Sequence, residues 1–314
     1  MPYSNYDYET AYENVLYTDD TYSEEYGNNV DAALIEQRIS LKSMGLKYAT
    51  RTCKAGKQME VNIYPAFHLR KHVPRTGKTG RTRKQQQNLN EKYSKREFVR
   101  TVNANFGLND YMITNTYRDE DLPRTVEEIE RDRQNYIARL QYHNRKAGNP
   151  PLRYMYVTEY EIVEDGYGAE YAVRPHHHII FSGHFDRDLA ERLWKKGDRP
   201  NSKRLVPDDF GLEGLARYMI KKPYGKRRWG GSTNLKKPKP GRPNHSKFSR
   251  SKVEKMVRNP DMVRELTEKA YPGYKYNDVQ ICYNEINAGW YLYVRMRQED
   301  EPPKKKEKRV RKNI

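Results

Sequence analysis

The sequence predicts an α+β domain, a small antiparallel sheet with helices packed on one face, and three observations predict it. Leu152 to Ile162 and Tyr171 to Ser182 have strand composition and flank the turn residues Asp165-Gly166-Tyr167-Gly168, which is the pattern of an antiparallel hairpin. A capped helical stretch comes before that hairpin. Two more helical stretches follow it, so the order is β-α-β-β-α-α.

Residues 1–31 hold eight acids, no Lys or Arg and no apolar periodicity, so residues 1–50 are expected to be an acidic, Tyr-rich tail and lead-in, largely flexible. Gln58 to Tyr64 reads as a strand, and 70–84 as a basic loop with Gly77 and Gly80. Tyr111 to Tyr117 has the aromatic and β-branched content of a strand. Thr125 and Glu128 then form a T-x-x-E capping box, and Val126, Ile129, Tyr136, Ile137 and Leu140 repeat at helical spacing up to Gly148-Asn149-Pro150-Pro151. After the hairpin, Asp186 to Lys196 and Gly211 to Lys222 read as helices, the second stopped by Pro223. Residues 226–252 are rich in Lys, Arg, Gly and Pro and read as an extended basic arm. Ser251 to Tyr271 reads as helix interrupted near Pro260, and Val279 to Glu285 with Trp290 to Met296 as a terminal hairpin. The organisation expected is therefore a tail (1–50), a main domain (51–298) and a basic disordered tail (299–314).

Composition restricts the partners. The net charge is +18 although residues 1–31 contribute eight negative charges, so the remainder carries +26. Such an excess points to a polyanion, most commonly nucleic acid. The 27 tyrosines against 7 phenylalanines suit stacking on unpaired bases. Cys53 and Cys282 lie far apart with no CxxC partner, which argues against a zinc ribbon or disulfide framework and for two buried thiols. No apolar run reaches membrane-spanning length, so no membrane partner and a cytoplasmic location are expected. No G-x-x-x-x-G-K-[ST] loop occurs, so the chain carries no evident ATP-driven unwinding domain.

Chemistry concentrates at Arg174-Pro175-His176-His177-His178-Ile179. On a strand His176 and His178 share one face, about 7 Å apart, while His177 points the other way. The neighbouring strand offers Glu159 and Glu161, two residues apart and therefore on one face, and either completes a three-ligand metal site with open positions for phosphate oxygens. Tyr218 lies on the last helical stretch, with Lys221 and Lys222 three and four residues on, where an ammonium favours both phenolate and phosphate charge.

Together these residues resemble the HUH endonuclease superfamily, in particular the rolling-circle replication-associated proteins of bacterial phages, plasmids and integrative elements. Tyr111 to Tyr117 is similar to the family's first strand motif, His176-His177-His178 to its His-x-His metal motif, and Tyr218-Met219-Ile220-Lys221 to its Tyr-x-x-Lys motif. The resemblance implies a ferredoxin/RRM-like fold and a metal, Mg²⁺ or Mn²⁺, held by His176, His178 and Glu159. It further implies that Tyr218, helped by Lys221, cleaves single-stranded DNA at a replication origin. The products would be a 5′-phosphotyrosine link and a free 3′-OH, with later strand joining, and host helicase and polymerase would be partners. Tyr224 lies past Pro223, so a single-tyrosine enzyme is expected. DNA contacts are expected from Lys222, Arg227, Arg228, Trp229, Lys236 and Lys237. The rival readings are an HUH transposase or relaxase, and a single-stranded nucleic-acid-binding module without catalysis. Relaxases usually place the tyrosine ahead of the histidines, the reverse of the order here.

Overall fold

The computed structural model describes residues 47–66, 83–164, 169–197, 201–221, 228–284 and 289–299. Residues 1–46 of the expected acidic tail and lead-in, most of the basic run at 70–84, the hairpin turn at 165–168, Lys222, Tyr224, Arg227 and the C-terminal basic tail lie outside them, whereas residues 47–50, expected to be flexible, open a strand that pairs along its length. The elements are β1 (Lys47–Ala55), β2 (Gln58–Ala66), α1 (Arg83–Asn105), β3 (Tyr111–Thr116), α2 (Val126–Lys146), β4 (Tyr154–Glu164) and β5 (Ala169–Phe181). There follow α3 (Arg187–Arg192), β6 (Asn201–Arg204), α4 (Glu213–Met219), β7 (Gly230–Gly231), α5 (Arg250–Arg258), α6 (Pro260–Ala270), β8 (Tyr274–Asn284) and β9 (Gly289–Gln298).

Local chemistry sets the helix ends. Thr125 Oγ1 accepts the Glu128 N–H at 3.2 Å, and the Glu128 carboxylate reaches back to the Arg124 N–H at 2.7 Å, so the box closes one residue earlier than usual. Asn259 caps α6, whose first residue is Pro260, which divides the expected 251–271 helix into α5 and α6. The helix expected over 186–196 ends at Arg192. Its buried continuation, Leu193 and Trp194, docks instead, and the Trp194 indole N–H donates to the Thr116 carbonyl at 2.7 Å. The helix expected over 211–222 shortens to α4: Gly211, at φ +72, keeps its start out of a right-handed helix, and the backbone leaves helical geometry at Ile220.

The described strands form two antiparallel sheets, ordered β6-β3-β5-β4-β7 and β1-β2-β9-β8. In the five-stranded sheet, side chains alternate between two covered faces. Ile179 and Phe181 pack with Tyr136 and Leu140 of α2 and with Trp194 beyond α3. Ile180, Met155 and Val157 pack on the opposite face with Phe98 and Val102 of α1 and Ala216 and Met219 of α4. The α+β class and antiparallel pairing hold, while the expectation of helices on one face extends to both. The helix α1 was hard to read from sequence because the apolar residues it packs into the core, Phe98 and Val102, come in its second half, and the segment is otherwise dominated by Gln, Asn, Lys and Arg.

The second sheet unites the ends of the described chain: β2 pairs with β9, with Val61 opposite Val294. One face buries Met59, Val61, Leu292 and Val294 under Val253 and Met256 of α5 and Val263 of α6. The other face meets α1, where Glu60 of β2 accepts hydrogen bonds from Arg100 (Nε to Oε1, 3.0 Å) and Arg96 (Nη2 to Oε2, 3.2 Å). The helix α1 thus lies between the two sheets. No helix among the described residues is long and apolar enough to cross a membrane.

The expected basic arm is an ordered strap over its described residues. It pairs with β4 through β7, exchanges side-chain and backbone bonds between Asn105 and Lys236 (2.8 and 2.7 Å), and ladders along β1 at Gly241 and Asn244. Its anchoring covers the outer edges of both sheets, β4 and β1, which would otherwise present unpaired backbone groups.

Candidate active site

The candidate site is a matter of register. Strand β5 lies between β3 and β4, and pairs His176 with Thr116 and Glu159, and His178 with Thr114 and Val157. The hairpin slips by a bulge after Glu159, so that Glu161 pairs with Val173 and is exposed. The choice between the two glutamates, open in the sequence, is made by that bulge: one ligand atom each from Glu159, His176 and His178 lies within 4.8 Å of the others.

The imidazoles are oriented from behind. His176 Nδ1 lies 2.9 Å from the Arg174 carbonyl, which can only accept, so the ring proton is on Nδ1 and the Nε2 lone pair faces the Glu159 carboxylate at 3.5 Å. His178 Nδ1 lies 3.1 Å from Thr114 Oγ1, again leaving Nε2 toward the cluster. Burial and then the neighbouring His176 lower the His178 pKa to about 4, so this ring is neutral, with its lone pair available, at neutral pH. Donors sharing one ion at about 2.1 Å stand at most about 4.2 Å apart. The cluster therefore fits a divalent cation after a contraction of roughly half an ångström.

His177 faces the other way. It is fully buried, with Nε2 3.0 Å from Tyr117 Oη and Nδ1 3.0 Å from Thr158 Oγ1, and it packs edge-on against Trp194. Arg133 of α2 donates to Thr158 at 3.2 Å. The middle histidine therefore rivets β5 to its neighbours on the face away from the cluster.

Helix α4 packs on the cluster's side of the sheet, and the Tyr218 ring lies against His178, centroids 5.5 Å apart at 60°. Its neighbours Ala216 and Met219 are buried, yet Tyr218 is 60% exposed, so the phenol is held by its helix and open to solvent. Lys221 lies two residues past the end of α4, exposed, on a turn whose N–H reaches the Tyr218 carbonyl at 3.4 Å. It is near Tyr218 in the chain, but does not share a helical face with it.

The remaining expected contacts divide. Lys236 and Lys237 are exposed on the strap. Arg228 is engaged by Glu91 at 3.2 Å. Trp229 donates its indole N–H to Ser94 and sits edge-on to Phe98 at 5.6 Å, which makes it a strut between strap and α1 rather than an open stacking platform. Thr114 and the Arg174 carbonyl went unnoticed in the sequence. The alternation of Thr114 and Thr116 along β3 was the available signal, usable only once β3 is known to pair with β5.

Residues 110–223, a little over a third of the chain, match the family described as replication-associated protein ORF2/G2P. The central segment is similar to replication-associated proteins of that family. The matched segment contains β3, α2, β4, β5, α3, β6 and α4, and with them every residue of the cluster and Tyr218. The four strands of the second sheet lie outside it. No curated protein and no solved structure matches the chain.

Proposed function

We propose that the chain initiates rolling-circle DNA replication by nicking single-stranded origin DNA, with Tyr218 as nucleophile, in the manner of HUH endonucleases. The reading is carried by a single approach: a solvent-open phenol ring 5.5 Å from an imidazole of a two-histidine, one-carboxylate cluster, within a replication-associated segment. A divalent cation, Mg²⁺ or Mn²⁺, held by Glu159, His176 and His178, would supply Lewis-acid polarisation of the scissile phosphate.

The chain's own residues do the rest. Tyr218 Oη attacks phosphorus in line, its proton passing to solvent. The Oη–P bond forms as the P–O3′ bond breaks, and the departing oxygen takes a proton to become the free 3′-OH. The 5′-phosphotyrosine link conserves the phosphodiester energy, so a later 3′-OH can reverse the step and join strands. Lys221 offsets the charge on phenolate and phosphate, a contribution of about 2–3 kcal/mol at the transition state. Lys222, Arg227, Lys236 and Lys237 bind flanking phosphates and hold register without reading bases. A host helicase exposes the strand, and a host polymerase extends the 3′-OH.

The test uses a random-sequence pool of single-stranded oligonucleotides with Mn²⁺, with and without EDTA. A covalent protein–DNA adduct is expected, mapped to Tyr218 by peptide mass spectrometry. It should be lost with EDTA, in Tyr218→Phe and in His178→Ala, the last still retaining DNA. Retention of the pool with no adduct in the wild-type protein would identify a binding module instead.

A further inference from the structure

Helix α4 has seven residues and its N-cap Leu212 makes no side-chain capping bond. Helices shorter than about 12 residues are marginal in isolation, so the orientation of α4 comes from what grips it. Ala216 and Met219 press it against the sheet, which limits its distance. Leu215 and the flanking Leu212 and Ile220 join that core, so apolar contacts already bear on the rotation of the helix about its axis.

A polar grip from the second sheet adds to these contacts at the start of the helix. Glu213, in the first turn and buried, accepts from Arg295 of β9 at 2.7 Å and from Arg217 one turn on at 2.8 Å. The Arg295 guanidinium is itself held: its Nε donates to Asp278 of β8 at 2.6 Å, its Nη2 pairs with the other carboxylate oxygen, and its plane lies over the Phe210 ring at 4.4 Å. The loop leading into α4 is gripped by the same edge of the sheet, where Asn277 donates to the Asp209 carbonyl at 2.7 Å and Arg297 pairs with the Asp209 side chain. The Leu212 N–H donates to Asn103 Oδ1 of α1 at 2.7 Å. Tyr218 is five residues beyond Glu213, so turning the helix at its first residue swings the phenol at its far end.

We infer that Arg295, anchored by Asp278, is a positioning residue for Tyr218, and that the second sheet serves as the fixed body against which the nucleophile's helix is oriented. The inference rests on the role of Tyr218 proposed above. It gives a function to four strands that the replication-associated segment does not include. Misplacement of a reacting group by about 1 Å costs on the order of a hundredfold in rate, so an orienting ion pair outside the cluster acts on turnover and not on DNA affinity.

The experiment places 3-fluorotyrosine at position 218 and pairs Arg295→Met with Glu213→Gln, which removes the ion pair without leaving either charge buried alone. Lys275→Met, which breaks the Lys275–Glu299 pair on the same sheet, is the control. The expected result is a wild-type ¹⁹F resonance shifted by the His178 ring and broadened by Mn²⁺. In the double variant the resonance should move toward the free fluorotyrosine position, while the control keeps it. On a cleaved oligonucleotide, kcat should fall about tenfold to a hundredfold with KM unchanged. Should the double variant fail to fold, Asp278→Asn reads the same shift. An unmoved ¹⁹F resonance and an unchanged kcat in folded variants overturn the inference. Absence of any adduct in wild-type protein strikes the nicking reading instead, while the metal-free ¹⁹F shift still reports whether Arg295 orients residue 218.

Discussion

Three consecutive histidines divide their work because a strand alternates its faces. His176 turns Nε2 toward Glu159 and His178 joins the same cluster, whereas His177 spends both ring nitrogens on Tyr117 and Thr158. Burial lowers the His177 pKa well below that of a free imidazole, so the rivet is a neutral ring. At the cluster the same physics distinguishes two glutamates. Glu159 faces the imidazoles and Glu161, past the bulge, does not. Glu159→Gln should therefore weaken Mn²⁺ binding by roughly tenfold or more, the scale seen when metal-site partners are lost. Glu161→Gln should leave it unchanged. Isothermal titration with Mn²⁺ checks both, and equal losses in the two variants would refute the assignment.

At the scale of elements, α1 is held by charge on one side and by apolar contact on the other. Phe98 and Val102 enter the core beneath the five-stranded sheet, while Arg96 and Arg100 clasp Glu60 of the second sheet. Burial alone would raise the Glu60 pKa, but the two guanidinium groups overcome it and bring the pKa to about 2. A carboxylate whose folded pKa lies below its unfolded value of 4.5 contributes stability that is complete above that value and is lost as the pH falls toward 2. Glu60→Gln should cost about 3 kcal/mol at pH 7, because it strands buried positive charge. The gap between wild type and variant should narrow between pH 4.5 and 2. Urea unfolding followed by circular dichroism at pH 7 and pH 3 measures it, and a gap that stays constant with pH would contradict the account.

At the scale of the molecule, the strap from 228 to 249 connects what the sequence presents as separate blocks. It edges β4 through β7, ties to α1 at Asn105, and edges β1 at Thr50 and Thr52 before entering α5. Its backbone is anchored while Lys236 and Lys237 remain exposed, so the cations are displayed with little ordering cost on binding. Replacing both with Gln should reduce the slope of log affinity against log salt for single-stranded DNA by about 1.4, from two lost phosphate contacts at roughly 0.7 each. Fluorescence anisotropy with a labelled oligonucleotide between low and moderate salt gives the slope. No change would mean that the strap does not touch DNA.

What the sequence determined by itself was local. The alternation through Arg174 to Phe181, the Thr125–Glu128 cap, the stop at Pro260 and the relation of His176 to His178 all depend on residues within a few positions of each other, where backbone geometry and capping act directly. Those features were enough to indicate an antiparallel α+β sheet, a two-histidine cluster and a tyrosine on the last helix before the arm. The remaining choices were made by non-local contacts. The bulge that favours Glu159, the pairing of β2 with β9, the burial of the polar helix α1 between two sheets and the reach of Arg295 to Glu213 each join segments tens to hundreds of residues apart. Such contacts are chosen by the total free energy of packing and charge pairing across the whole chain, and a local pattern carries no record of that sum.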